Sequence, residues 1–206
     1  MNQSPLADDI AFVRQMAEEG AAAPNVGGRF GVLWGSVISI ALLLHWSTFQ
    51  DWGLIDTPHL MYVWLAAISI GIIGHFVVSA GLSHKPGASA PGNRAGAAIW
   101  SIIGPGLGLY FAGVAAAVIF RDQSPTLFNM IMPSAFLAYG AAAGVSGALF
   151  KQRRQWLIAI ICLAACFITL LLVNTSEAYL AAAAGVFLTQ VIPGIADLRA
   201  EPKSVV

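Results

Sequence analysis

The chain of 206 residues is 58% hydrophobic and only 10% charged, and its ten Lys and Arg residues balance ten Asp and Glu residues. A soluble domain of this length would carry roughly a quarter charged residues. The composition therefore excludes an ordinary water-soluble fold, and the balanced charge provides no attraction to nucleic acid. We expect an integral membrane protein whose first partner is the lipid bilayer.

Residues 1–29 form a polar N-terminal segment, in which Ser4 and Pro5 are typical of a helix start. The spacing of apolar residues predicts an amphipathic helix over about residues 5–19. Its apolar stripe consists of Leu6, Ile10, Val13, Met16 and Ala17. Acidic residues outnumber basic ones in this helix, so anionic lipid headgroups would repel it. We therefore interpret the stripe as a face that docks on protein, either on this chain's own cytoplasmic surface or on another chain.

Six apolar stretches follow, and each has about the 20 residues that a helix needs to cross the hydrocarbon core of a bilayer. None of them contains Lys or Arg. The predicted spans are residues 30–47, 58–82, 95–120, 126–150, 156–173 and 177–198. Short joints between them favour three helical hairpins. The predicted fold class is therefore an all-α bundle of six transmembrane helices in one domain, residues 30–198.

The positive charges predict the orientation of these spans. Nine of the ten Lys and Arg residues fall in residues 1–29, 83–94, 151–155 and 199–206, whereas Arg121 falls on the other side. Lys and Arg favour the cytoplasmic side of a membrane. We therefore expect both termini, including the tail of residues 199–206, to be cytoplasmic. The expected location is a plasma membrane of the bacterial inner-membrane type.

Three polar side chains inside the spans form a candidate intramembrane site. His75 lies about seven residues from the cytoplasmic end of the second span, roughly 10 Å deep. Gln190 has a similar depth in the sixth span, and Ser101 of the third span is within reach by depth. Polar groups are costly in lipid, so they default to a functional interpretation. Two explanations stay open, namely a hydrogen bond that fixes helix packing and a site for a solute or a proton.

Two spans contain residues that interrupt helices. These residues are Gly104, Pro105, Gly106 and Gly108 in the third span, and Pro193 and Gly194 in the sixth. Proline removes a backbone donor and glycine allows the chain to unwind, so we expect both helices to kink or break there. Broken helices bind substrate in many transporters, although a simple kink explains the same residues.

Small residues at helical spacing predict where helices approach closely, because close backbone contact supplies much of the packing energy in lipid. Such seams occur at Gly104 and Gly108, at Gly140 and Gly144, and from Ala181 to Gly185. We expect these seams to close a compact bundle. A homo-oligomer is also compatible with the sequence.

The expected outer end of the bundle carries aromatic and capping residues. Trp46, Trp64 and Tyr179 fall near this face, where aromatic rings are typical of the membrane interface. Asn174, three residues before Glu177, resembles the start of a capping box. We therefore expect the rings to mark the membrane surface and the sixth span to begin with a capped helix.

The sequence carries no recognisable catalytic or nucleotide-binding motif. Cys162 and Cys166 share one face of the fifth span, but two thiols alone do not complete a metal site. The histidines offer no pair at matched depth that could ligate haem. We therefore predict no catalytic residue, no metal and no cofactor.

Three functional classes are ranked on these observations. The first is a non-enzymatic membrane protein that binds a partner as a regulator, scaffold or assembly component. The second is a small-solute transporter or channel that uses the third and sixth spans with His75 and Gln190. An enzyme comes last, because no motif supports one.

Overall fold

The computed structural model describes Ile10 and residues 26–50, 55–82 and 90–201. Within these ranges the secondary structure is helical, without strands. The helices are α1 (Gly28–Ser47), α2 (Leu60–Leu82), α3 (Pro91–Arg121), α4 (Ile131–Phe150), α5 (Arg153–Leu171), α6 (Glu177–Val186) and α7 (Ile192–Ala200). Short 3₁₀ turns, Thr57–His59 and Pro125–Met130, precede α2 and α4, and a π turn, Phe187–Val191, joins α6 to α7.

Six helical stretches in the described ranges are long and apolar enough to cross a membrane. Five of them contain α1 to α5, and the sixth is the continuous stretch Glu177–Ala200. The predicted all-helical fold with six such helices is confirmed. The boundaries differ at some starts. α3 begins at Pro91 rather than at residue 95, because proline at the first helical position needs no hydrogen-bond acceptor for its nitrogen.

α1 packs closely against the sixth span, and we call this contact the glycine seam. A methyl group at Gly28 would lie 2.7 Å from the Gly194 carbonyl oxygen, and one at Gly31 would lie 2.9 Å from the Gln190 carbonyl oxygen. At Gly35 it would lie 2.8 Å from the Gln190 and Val191 side chains. Glycine therefore allows two helix backbones to touch along about two turns of α1.

α4 and α5 pack against each other in antiparallel directions. Gly140 faces Cys162, and Gly147 faces the Trp156 ring at the other end of the pair. The expected seam at Gly140 thus lies against α5. Phe136 links this pair to the sixth span, because its ring lies against Gly185 and is almost fully buried. The core is therefore shared by α1, α4, α5 and the sixth span.

α3 lies at the periphery. It packs on α4 through Trp100 with Tyr139, at 5.1 Å between ring centroids, and through Phe111 with Phe128 of the preceding turn, at 5.5 Å. No residue of α3 is buried. A methyl group added at Gly104 or Gly108 would meet nothing within 4 Å among the described residues. The expectation that these glycines close the bundle is therefore wrong for the described chain, because the aromatic face of α3 packs on α4.

The predicted helix interruptions have different outcomes. α3 is continuous through Gly104, Pro105, Gly106 and Gly108, so the predicted break is not observed there. One proline removes only one backbone donor, and unwinding would leave further polar groups unsatisfied in lipid. In the sixth span the regular helix is interrupted by the π turn, just before Pro193 and Gly194. The backbone N–H of Ile192 donates to the Phe187 carbonyl, five residues back.

Candidate functional site

His75 lies against α1 and does not point into the centre of the bundle. Its Nδ1 accepts a hydrogen bond from Trp34 Nε1 at 3.4 Å, and its ring lies 4.7 Å from the Phe30 ring. The residue stays exposed at its outer edge. These contacts give His75 a place between α1 and the surface of the bundle.

Gln190 lies on another side of α1. Its side chain and carbonyl are close to Gly35 and Gly31, whereas His75 contacts Phe30 and Trp34. Positions 30 and 34 are about 100° of helix rotation from positions 31 and 35. Across the described residues there is no hydrogen bond between His75 and Gln190. Both residues of the predicted polar layer therefore contact α1, but they contact it on different sides.

Ser101 is separate from both residues. Its hydroxyl donates to the Ala98 carbonyl of its own helix at 2.8 Å, on the exposed face of α3. The serine that links helices is Ser39, whose buried hydroxyl donates to the Ala183 carbonyl at 3.2 Å. This bond joins α1 to α6, whereas the Ser101 hydroxyl bonds only within its own helix among the described residues.

An aromatic cluster surrounds His45 at the end of the bundle opposite the basic residues. The His45 ring is tilted against the Tyr179 ring of α6, with 3.7 Å between centroids, and it stacks on the Phe49 ring at 5.8 Å. Trp64 Nε1 of α2 donates to His45 Nδ1 at 3.2 Å. Tyr179 is buried, and Trp64 is half-buried against the core. Both rings therefore contact protein, and their place at the membrane surface stays a prediction.

A chain of hydrogen bonds continues from this cluster. The Tyr179 hydroxyl donates to Asn129 Oδ1 at 2.5 Å, and Asn129 Nδ2 donates to Asn174 Oδ1 at 2.9 Å. Asn174 has a left-handed backbone, with φ of 69°, and the residue that precedes α6 is Ser176. The predicted capping role of Asn174 is therefore wrong. Its side chain instead joins the α5–α6 turn to the turn before α4.

Ion pairs join the helix ends at the basic end of the bundle. Arg154, at the start of α5, pairs with the buried carboxylate of Asp197 in α7. Arg29 of α1 pairs with Glu201 at 3.1 Å. The backbone N–H of Val26 donates to Asn93 Oδ1 at 3.2 Å. Together these contacts tie the segment before α1 to α3, and tie α1 and α5 to the end of the sixth span.

The predicted docking face of the N-terminal helix lies almost entirely outside the described residues. Leu6, Val13, Met16 and Ala17 belong to that part of the chain. Ile10 is described as helical, and its side chain is exposed. The docking interpretation therefore stays a prediction.

The described side chains offer packing and hydrogen bonding more than catalytic groups. Among them no group of three or more His, Cys, Asp or Glu is placed to hold a metal ion. Cys162 is fully buried where α5 faces Gly140, and Cys166 is partly buried beside the same core. Both therefore occupy packing positions.

The sequence reasoning missed His45, Asn129 and the α1 glycines. His45 and Asn129 lie near the ends of their predicted spans, and neither belongs to a recognisable motif. Matched depth could have revealed the cluster, since His45, Trp64 and Tyr179 all fall within a few residues of the same end of the bundle.

No family model, curated protein or solved structure matches the chain, so its family is not assigned and its function has to be argued from the helices themselves.

Proposed function

We propose that this multi-pass membrane protein acts without enzymatic chemistry, by binding another membrane protein as a regulator, scaffold or assembly component. The observation that supports the proposal is α3, which spans 31 residues without burying one of them. A helix of a small bundle normally presents one stripe to its neighbours. α3 contacts α4 through aromatic rings and leaves its remaining circumference for lipid or for a partner.

The open side of α3 has the composition of a helix–helix interface. Its exposed small residues recur at helical spacing, so that they lie along one side of the helix. They are Ala97, Ser101, Gly104, Gly108 and Ala112. Small residues allow the backbone of a second transmembrane helix to come close, which gains van der Waals contact that lipid tails provide less well. The proposed ligand of this face is therefore a transmembrane helix.

Photo-crosslinking in native membranes tests the proposal. A benzoylphenylalanine at Leu109, an exposed large residue beside the small-residue face, should yield a discrete crosslinked protein band, identified by mass spectrometry as another protein or a second copy of this chain. The same probe at Phe167, an equally lipid-exposed position of α5, is the matched control and should yield no discrete band. Crosslinks to lipid alone at both positions would contradict the proposal. Gly108→Leu should abolish the band while the bundle stays folded, because nothing in the described chain faces that glycine.

The N-terminal helix is a second proposed contact. Its stripe of Leu6, Ile10, Val13, Met16 and Ala17 would bury apolar surface on a protein, and Ile10 is exposed and available for that purpose. Deletion of residues 1–20 should leave the membrane spans folded and abolish binding of a soluble partner. A bundle that no longer melts cooperatively after this deletion would instead assign the helix to the chain's own surface.

A solute pathway is the alternative function. The π turn supports it, because irregular turns inside helices occur frequently at functional sites, and here the turn contains Gln190 and the buried Thr189. The distribution of the helix-breaking residues weakens it. Gly104 to Gly108 lie on a peripheral helix, whereas Pro193 and Gly194 lie beside α1. Flux into proteoliposomes that Gln190→Ala abolishes would establish the alternative.

We further propose that the basic end faces the cytoplasm of a bacterial inner membrane, as the distribution of Lys and Arg predicts. In a background with Cys162→Ala and Cys166→Ala, single cysteines at Ser124 and Ser176 should react with an impermeant maleimide from outside. A cysteine at Arg153 should not react. Labelling at Arg153 but not at Ser124 would reverse the proposed orientation.

A further inference from the structure

Two adjacent arginines at the start of α5 have different surroundings. Arg154 turns towards the bundle, where it pairs with the buried carboxylate of Asp197. Arg153 is exposed, and so is Lys151, which directly follows α4. Successive residues of an α-helix are about 100° apart, so one arginine can fasten the bundle while its neighbour faces outwards. The α4–α5 turn therefore carries positive charge on its outer side.

The charges of Lys151 and Arg153 are not neutralised by the described part of the chain. In that part, the two carboxylates of the basic end are Asp197 and Glu201, and each pairs with a different arginine. Neither Lys151 nor Arg153 forms an ion pair across the described residues. Two positive side chains, separated by one residue, are thus available to an anion outside the chain.

An apolar surface begins beside these charges and continues along both helices. Trp156, in the first turn of α5, packs its ring on α4 and is half exposed, as is typical of aromatic residues at a membrane interface. Leu157 and Ile160 lie four and seven residues after Arg153, so they share its side of α5. They are 58% and 61% exposed, and Leu149 in the last turn of α4 is 62% exposed.

We propose that Lys151, Arg153 and Trp156 form a binding site for one anionic phospholipid. The phosphate group binds between the ammonium group of Lys151 and the guanidinium group of Arg153, whose planar fork can donate two hydrogen bonds to phosphate oxygens. The acyl chains lie along Leu157 and Ile160. Charge complementarity and the adjoining apolar surface together select this ligand, because a phospholipid carries both features at the same depth of the membrane.

This site goes beyond the proposed partner binding and shares no residue with the open side of α3. It also does not depend on which side of the membrane the basic end faces, since only the local charge of the lipid matters. The two proposals can therefore fail separately.

The headgroup charge determines which phospholipid the site prefers. Phosphatidylcholine carries a choline cation beside its phosphate, so its headgroup has no net charge. Phosphatidylglycerol carries the negative charge alone. From the usual contribution of one Lys or Arg to the binding of anionic lipid, the two cations together should favour phosphatidylglycerol by about 30-fold.

Native mass spectrometry of the full chain in detergent tests this preference, because it resolves the binding of a single lipid molecule. The wild-type chain should bind phosphatidylglycerol about 30-fold more tightly than Lys151→Gln with Arg153→Gln does. The matched control is Arg94→Gln with Arg199→Gln, which removes two exposed cations from the same end of the bundle. The control should bind nearly as well as wild type. Equal affinity for phosphatidylglycerol and phosphatidylcholine, or equal losses in the two double variants, would overturn the proposal.

Two further comparisons separate a phospholipid from a free phosphate anion. Glycerol 3-phosphate has the phosphate group without acyl chains, so it should not displace bound phosphatidylglycerol. Leu157→Ser should weaken binding severalfold, whereas Leu171→Ser, an equally exposed change at the other end of α5, should not. Displacement by glycerol 3-phosphate together with unchanged binding by Leu157→Ser would reject the phospholipid and indicate a site for a free anion.

A crosslinking measurement with all the cations in place covers the case in which the double variant fails to fold. The full chain, with benzoylphenylalanine at Leu157, is reconstituted in vesicles that contain equal amounts of phosphatidylglycerol and phosphatidylcholine. Mass spectrometry should find phosphatidylglycerol in excess among the crosslinked lipids. The same probe at Leu171 is the control and should capture the two lipids in equal amounts. Equal capture at both positions would overturn the proposal.

Discussion

Two helices of this bundle carry glycines at helical spacing, and only one of them uses those glycines inside the described chain. In α1, Gly28, Gly31 and Gly35 bring the backbone against the sixth span, where an added methyl group would collide. In α3, Gly104 and Gly108 face open space. The comparison teaches that small residues mark a face suited to close approach, whereas the neighbour of that face is decided by the packing of the whole bundle.

The largest expected effect separates these two faces directly. Gly194→Ala would place a methyl group 2.6 Å from the Gly28 carbonyl oxygen and 2.9 Å from the Val32 nitrogen, both of them backbone atoms that cannot move aside. We expect a loss of stability of about 1–3 kcal/mol. Gly104→Ala, the matched control, should be neutral or stabilise by up to about 1 kcal/mol, because alanine favours helix over glycine. Thermal unfolding in detergent measures both, and equal losses would remove the distinction between the faces.

A smaller effect is expected where the ion pairs fasten the basic end of the glycine seam. Arg154→Gln removes the arginine partner of the buried Asp197. We expect a loss of about 1–2 kcal/mol, the lower part of the range for charged hydrogen bonds, because Arg154 is partly exposed. Arg153→Gln changes the neighbouring exposed residue and should have almost no effect. If both variants melt at the wild-type temperature, the ion pair contributes no stability to the glycine seam.

The smallest effect is expected at the other end of the same interface. Tyr179→Phe keeps the ring in contact with His45 and removes the hydroxyl that donates to Asn129. We expect a cost of about 0.5–1.5 kcal/mol, the usual net value of one neutral hydrogen bond. Tyr110→Phe, at an exposed position of α3, provides the comparison and should change stability less. A larger loss at Tyr110 than at Tyr179 would contradict this expectation.

The helices were predictable because membrane length and hydropathy are local properties of the sequence. The six predicted spans each overlap one helical stretch of the structure, and the main differences are at the ends. Which helices pack against each other was less predictable. The glycine seam joins Gly28 to Gly194 across most of the chain, so no local pattern of spacing could identify the two sides as neighbours.

The candidate site was predicted less well for the same reason. Depth placed His75 and Gln190 at one level but could not give the rotation of each helix, and the two residues lie on different sides of α1. In α3 the helix continues through Pro105 without a break, and the alternative of a kink stays a prediction. A proline can be tolerated by a helix, so its presence predicts a weak point rather than an interruption.

The π turn Phe187–Val191 has a consequence for the length of the sixth span. A π turn holds one residue more than an α turn over the same stretch of helix, so it absorbs about 100° of rotation. This allows Ala182 and Val186 on one side of the turn, and Gly194 and Asp197 on the other, all to be buried in the same bundle. Removing one residue within the turn, such as the exposed Leu188, would restore a regular helix and keep both halves in phase. Removing one residue from α6 would instead rotate every later position off α1. The turn is therefore a place where the chain can lose one residue without changing which side chains face each other.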